Sequence, residues 1–380
     1  MWIGLFPELT GVGGIQQVSR HMGAVLMKKS FEQNTPCQLL GLNDARGAGS
    51  FRVGSDEYSF RGFARDKRGL ASFLLRAAPK LDTLYLGHVN LTPLGLLVRL
   101  LRPRINYWVV AHGVEVWESL PVYRRLGLRH AQRVLSVSVY TTKQMIRVQK
   151  LDPQRVFLLP PALDPEFIGT SCDGDAVPLP SRGRVLLTVG RLIASEPGKG
   201  IDSVIRVFSD VLSVVPDLFY VIVGGGDLQP RLEALAQESP ARGRILFTGR
   251  LNLEQLKWCY SRSDVFVMPS RQEGFGIVFL EAMTLGKPVI AGDHGGAAEV
   301  VQNGVTGFLV NLDDPNALTN SLILLLRDEA LSRRMGEAGR RRVEENYTFS
   351  LFQERLTHML NSATQALFPS FKLQVKFALR

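Results

Sequence analysis

Short apolar runs recur along the chain, and stretches with helical periodicity separate most of them. In the first half the run "MWIGLF" is followed by a glycine turn, "TGVGG", and a helical stretch, "IQQVSRHMGAVLMKK". Further runs at 38–42, 83–88, 105–113, 133–138 and 155–160 read as buried strands. Such alternation predicts a parallel sheet covered by helices on both faces. Residues 164–184 break the pattern with Pro, Gly, Ser and Asp and no periodicity, as a linker does. A second series follows, with strands expected at 185–190, 218–226, 244–249, 264–270, 287–292 and 306–310. Helices are expected near 315–327, 330–346 and 349–362. The expected organisation is α/β: a doubly wound domain over 1–165, a linker over 166–183, and a second doubly wound domain over 184–347. A helix over 348–380 then crosses back to the first domain and ends in a tail. Two such domains are expected to face each other across a cleft, with ligand outside the carboxyl ends of the strands. The last ten residues, "FKLQVKFALR", alternate with period two, which suits an edge strand, an interfacial segment or a disordered end.

A length of 380 residues suits two domains, and 45% hydrophobic with 21% charged residues supplies two ordinary cores. No run approaches the 18 or so apolar residues of a membrane span. The N-terminus lacks a basic region and a small-residue cleavage site, so no signal peptide is expected. Cys37, Cys172 and Cys259 are odd in number and far apart; they suggest neither a disulfide framework nor a metal cluster, and a cytoplasmic location is expected. The charge is polarised. Residues 1–170 hold 22 Lys and Arg against 12 Asp and Glu, a net +10, whereas residues 171–380 hold 23 of each. A basic face can serve an anionic membrane, nucleic acid or acidic substrates, or can be no more than a solvated surface.

Chemistry concentrates in the second half. Arg191 lies just past a strand, and Lys199 closes a polar loop before a helix, an arrangement that suits a phosphate or diphosphate. The glycine turns "GVGG" and "GGG" resemble part of a dinucleotide fingerprint, but neither completes G-x-G-x-x-G, so NAD binding is not expected. In "PSRQEGFGIVFLEAMTLGKPVIA" a strand turns through Gly-Phe-Gly into a helix, which brings backbone amides to a helix N-terminus. Glu273 lies at the turn. Glu281 lies about two helical turns on, within an apolar stretch, where a carboxylate needs a hydrogen-bond partner; vicinal hydroxyls can provide one.

The E-x7-E spacing of Glu273 and Glu281 resembles the signature of retaining GT-B glycosyltransferases of the group 1 family. The likeness runs along nearly the whole chain: "GVGGIQQVSRHMGAVL", "AHGVEVW", "SVSVYTTKQM", "VGRL" with "KG", and "PSRQEGFG" through "GVTGFLV". It implies two Rossmann-like domains, the first for the acceptor and the second for a nucleotide-sugar. By resemblance, Glu281 binds ribose hydroxyls, and Glu273 contacts hydroxyls of the donor sugar. Gly13, Gly14, Gly225, Gly274, Phe275, Gly276 and Ile277 cradle diphosphate and sugar through their backbone, and backbone at Leu251 lies at the base. Arg191 and Lys199 neutralise the departing diphosphate, and His112 faces the donor sugar near the reacting carbon. Where the family commonly has Asn-Gly-Val-Asp after the last strand of the first domain, this chain has "PPALD", keeping only Asp164.

The implied reaction transfers a hexosyl unit from GDP-mannose or a UDP-hexose to a saccharide or lipid-linked acceptor. It needs no cofactor and no metal, because fixed cations stabilise charge on the leaving group. The single D-x-D, Asp173-Gly174-Asp175, falls in the expected linker and reads as a turn. Glu115 and Glu118 either bind an acceptor or pair with the arginines of 124–133. The expected partners are a nucleotide-sugar, the acceptor and an anionic membrane surface, with no nucleic acid. A sugar-nucleotide epimerase and an inactive sugar-nucleotide-binding protein are the alternatives.

Overall fold

A computed structural model describes residues 1–168, 177, 179–180, 182–194 and 197–361. The chain divides into two compact units. One runs from Met1 to Pro165 and resumes at Thr348; the other is Glu166–Tyr347.

The first unit is built on eight strands: β1 (Trp2–Phe6), β2 (Cys37–Gly41), β3 (Gly47–Val53), β4 (Asp56–Gly62), β5 (Thr83–Leu86), β6 (Asn106–Ala111), β7 (Arg133–Ser136) and β8 (Val156–Leu158). Their order is β3-β4-β2-β1-β5-β6-β7-β8. β1 lies inside the sheet, parallel to β2 and β5, with Trp2 opposite both Cys37 and Thr83. Ile3, Leu5 and Phe6 are all buried, which accounts for the unbroken apolar run: helices cover both faces, so neither face of the strand meets water.

Strict strand–helix alternation does not hold throughout. Residues 47–62 form a hairpin, with β3 antiparallel to β4 and Val53 opposite Asp56. Phe51, Val53 and Phe60 are buried, while Arg52, Glu57 and Arg61 are exposed. That period-two pattern marks a strand pair at a sheet edge with one face in water. Gly54, at φ 60°, makes its turn.

The helix Phe349–Asn361 closes this unit by packing on the helix Gly14–Glu32. The ring of His21 lies 4.9 Å from Phe349 and 5.7 Å from Phe352. Further along, Arg133 stacks on Trp108 and Phe157 and donates to the carbonyl of Met359.

The second unit carries six parallel strands: β9 (Arg184–Val189), β10 (Leu218–Val223), β11 (Ile245–Gly249), β12 (Val265–Met268), β13 (Val289–Gly292) and β14 (Gly307–Val310). They stand in the order β11-β10-β9-β12-β13-β14. The chain therefore winds outward one way from β9 and then the other way from β12, and a crevice opens where these two strands adjoin. In the first unit the same reversal falls between β1 and β5. The stretch expected as a linker begins with a helical turn, Pro165–Ile168. Its Phe167 is buried edge-on against Tyr260, and the ammonium of Lys257 reaches the Glu166 carbonyl. Cys172, Asp173–Asp175 and the tail 371–380 lie outside the described residues.

His21 is fully buried, neither ring nitrogen makes a hydrogen bond, and the Asp164 carboxylate stands 3.9 Å away. Burial, helped by the charge on Arg20, pushes its pKa down to about 3. The unfolded chain takes up a proton on this residue near pH 6.5, and the folded chain does not until about 3. The associated stability is complete above 6.5 and is lost progressively as pH falls between those values. Urea unfolding at about pH 7 and about pH 4.5 should therefore show a smaller acid-induced loss for His21→Leu than for the wild type.

Candidate functional site

In the second unit the predicted residues gather at the carboxyl ends of β9 and β12. β9 ends at Val189, and Gly190 and the exposed Arg191 follow. Asp227 fixes this loop by accepting the Ala194 N–H at 2.7 Å. The glycine run after β10 is shaped by close backbone contact: a Cβ on Gly224 would sit 1.8 Å from the Gly190 carbonyl oxygen, so no other residue fits there. Gly225 accepts the Leu192 N–H and lies beside the Arg250 side chain. Leu251 is half-buried just after, ahead of the helix Leu253–Arg262.

Lys199 precedes the helix Ile201–Val214 and is tied to the end of β12. The Gly198 carbonyl accepts from the Arg271 N–H at 2.7 Å and from the buried Ser270 hydroxyl at 2.9 Å. Gly200, at φ 75°, packs against the Pro269 carbonyl, where a Cβ would come within 2.4 Å. The clasp sets the Lys199 ammonium 3.1 Å from the Glu273 carboxylate, with side-chain exposures of only 20% and 14%. Partly buried charges of opposite sign in contact spare each other an uncompensated desolvation cost.

Gly274, Phe275 and Gly276 are buried, and the Phe275 ring packs on Tyr347. Gly276, at φ 94°, begins the helix Ile277–Thr284, whose first N–H groups have no partner within the helix. The turn is held from behind: the Glu273 carbonyl accepts the Gly296 N–H at 2.7 Å, and the "GG" of residues 295–296 leaves room for it. Arg191, Lys199 and the N-termini of two helices thus lie at one end of the second sheet, which suits a polyanionic ligand.

Glu281 has a protein partner that sequence reasoning did not assign. The Tyr260 hydroxyl donates to its carboxylate at 2.7 Å. Tyr260 is fully buried, and burial together with the adjacent carboxylate raises its pKa well above the ordinary value. It therefore stays a donor.

The remaining predicted residues lie in the first unit. Gly13 and the exposed Gly14 open the helix Gly14–Glu32 beyond the carboxyl end of β1. His112 follows β6, and its Nε2 lies 2.8 Å from the Gly87 carbonyl. Burial lowers its pKa, against opposing effects from Glu115 and the Gly87 carbonyl. Glu115 pairs with none of the arginines of 124–133: its carboxylate accepts the backbone N–H of His112 at 2.6 Å and so fixes the turn that carries the imidazole. His88, which the sequence reading passed over, lies beside His112, its ring centroid 5.5 Å away.

The family model described as "Glycosyl transferases group 1" matches residues 175–342. A GDP-mannose-dependent alpha-(1-6)-phosphatidylinositol monomannoside mannosyltransferase of Mycolicibacterium smegmatis is 33% identical over 305 residues, covering 75% of this chain and 78% of the relative. The protein of the same description from Mycobacterium tuberculosis is 32% identical over 75% of this chain and 77% of its own. Among solved structures, sucrose-phosphate synthase from Thermosynechococcus elongatus superposes with a TM-score of 0.75 at 22% identity, covering 94% of this chain and 98% of its own. Anabaena HepE in complex with UDP and glucose superposes with a TM-score of 0.73 at 18% identity, covering 95% and 99%.

Removing the Tyr260 hydroxyl leaves a partly buried carboxylate short of a donor. Tyr260→Phe should cost about 1–3 kcal/mol of stability, measured by urea unfolding, since the lost bond is to a charged group.

Proposed function

From the premise that this chain belongs to the group 1 glycosyltransferases and has their GT-B fold, we propose that it is a retaining mannosyltransferase. The proposed donor is GDP-mannose and the acceptor a lipid-linked saccharide, at the inner face of the cytoplasmic membrane. The donor is suggested by the relatives whose names specify GDP-mannose, one of them 33% identical over 75% of the chain.

The observation that carries the reading is the Lys199–Glu273 pair at the junction of β9 and β12. At rest each charge balances the other. A bound diphosphate offers Lys199 a stronger anionic partner, and Glu273 is then released to accept hydroxyls of the sugar. Arg191, at the same end of the sheet, adds a second cation. Breaking the bond between sugar and diphosphate develops negative charge on the leaving group. Cations already in place stabilise it without reorganisation, and no metal is assigned a part. Glu281, oriented by Tyr260, accepts from the ribose hydroxyls. Backbone of Gly225, Gly274, Phe275, Gly276 and Ile277, with Gly13 and Gly14 of the first unit, is proposed to line the diphosphate and sugar, and Leu251 the base. His112 is assigned to the sugar beside the reacting carbon.

The membrane part of the reading rests on one surface of the first unit. The helices Thr92–Leu101 and Val122–His130 lie side by side, joined by the Thr92 hydroxyl to the Arg124 carbonyl and by Arg99 to the His130 carbonyl. Leu100, Leu101, Val122, Tyr123 and Leu126 are exposed on them, and Arg99, Arg102, Arg124, Arg125 and Arg129 are interspersed or adjacent. Apolar side chains among cations suit an anionic bilayer surface. Among the described residues no helix is long and apolar enough to cross a membrane.

Two measurements test these points. In a panel of GDP-, UDP- and ADP-sugars, GDP-mannose should raise the melting temperature most and support transfer; Lys199→Ala and Glu281→Ala should each lower kcat/KM at least about 100-fold, a loss of roughly 3 kcal/mol. Unchanged transfer in both variants would make the assigned mechanism wrong. Vesicles containing phosphatidylglycerol should sediment the protein at low salt, and neutral vesicles should not. Leu100→Ser with Leu101→Ser should weaken that binding without changing donor-induced stabilisation. Failure to bind anionic vesicles at low salt would remove the membrane assignment.

A further inference from the structure

The ends of the neighbouring strands β5 and β6 hold two imidazoles, His88 and His112, whose protonated nitrogens can be read from their partners. His112 Nε2 lies 2.8 Å from the Gly87 carbonyl oxygen, which can only accept, so this nitrogen carries the hydrogen and Nδ1 is bare. In His88 the arrangement is reversed. The Asn90 N–H donates to its Nδ1 at 3.0 Å, so Nδ1 is bare and Nε2 carries the hydrogen. The rings lie near parallel, 22° between planes and 5.5 Å between centroids. One exposes an acceptor and the other a donor.

The two nitrogens of His88 differ in purpose. Nδ1 caps the turn Val89–Leu91, a structural task. Nε2–H has no acceptor among the described residues, and it is not shut away from solvent: the side chain keeps 7% exposure. A donor with an open side can bind a ligand in place of water. Its position narrows what that is: β1 and β5 adjoin where the winding of the first sheet reverses, the end of a doubly wound sheet at which ligands sit. Burial first, and then the proximity of His112 and of the Arg124 charge, lowers the pKa of His88 to about 3, so it remains a neutral donor at any working pH.

We propose that His88 is a substrate-binding residue, its Nε2–H donating to an oxygen of a sugar held at His112, while His112 Nδ1 accepts from a hydroxyl of the same ring. Vicinal hydroxyls both donate and accept, and a neighbouring donor and acceptor of fixed tautomer match them. An anion is a poorer fit, since neither ring is charged. The proposal rests on the glycosyltransferase reading and extends it by one residue. The sugar belongs either to the nucleotide donor or to the acceptor saccharide.

Paired variants separate binding from capping. In His88→Asn the amide oxygen can replace Nδ1 as the cap, and the donor is lost. In His88→Gln the amide nitrogen reaches the place of Nε2, and the cap is lost. With GDP-mannose and a mannosylated glycolipid as substrates, His88→Asn should lose about tenfold or more in kcat/KM with an unchanged melting temperature. His88→Gln should retain more transfer yet melt lower. A rise confined to the KM of GDP-mannose assigns the contact to the donor sugar; a rise confined to the glycolipid assigns it to the acceptor. If His88→Asn transfers as well as or better than His88→Gln, the residue is only a cap and the proposal is overturned. If the wild type turns over neither GDP-mannose nor any UDP-hexose, the functional reading itself falls, and this inference with it.

Discussion

At the carboxyl ends of β9 and β12, carbonyl oxygens occupy space that a side chain would need. Gly224 meets the carbonyl of Gly190, Gly200 that of Pro269, and Gly296 that of Gly274, each closer to a hypothetical Cβ than any real contact allows. These backbone-on-backbone approaches draw the loops after four separate strands, β9, β10, β12 and β13, into one cluster. Everything chemical in the second unit follows from that closeness. Lys199 can reach Glu273 only because the loop before it is clasped to residues 269–271. The Gly-Phe-Gly turn can offer amides only because residues 295–296 leave room behind it. A methyl group at any of these positions would push apart the loops that carry the charge.

Electrostatic balance is the second constraint. In the second unit Lys199 pairs with Glu273 and Glu281 accepts from the Tyr260 hydroxyl; in the first unit burial lowers the pKa of both His88 and His112. The low-dielectric surroundings that would make an isolated charge costly also strengthen its interaction with a ligand when one arrives.

Much of this was legible in the chain. The apolar runs marked the strands of both sheets, because a strand covered on both faces has no position for a polar side chain. The glycine pattern and the spacing of Glu273 and Glu281 singled out the loops that cluster at the carboxyl ends of the second sheet. The hairpin over 47–62 carried its own signal, alternation around Gly54, but the reading of uniform strand–helix alternation passed over it. Glu115 showed the opposite difficulty. Its neighbouring arginines invited ion pairs, whereas a backbone N–H three residues away was the nearer and better-oriented partner.

The sequence by itself determined the elements, their order and the residues that carry charge at the sheet ends, since periodicity and glycine placement act within a short window of chain. Only the tertiary structure decided who partners whom. Tyr260 and Glu281 are 21 residues apart, and Lys199 and Glu273 are 74 apart. Nothing local relates such pairs; strand order and the clasped loops bring them together. The same holds for the tautomers of His88 and His112, which depend on whether a carbonyl or an N–H lies opposite each nitrogen. That depends on where β5 and β6 end in space, which no stretch of sequence states.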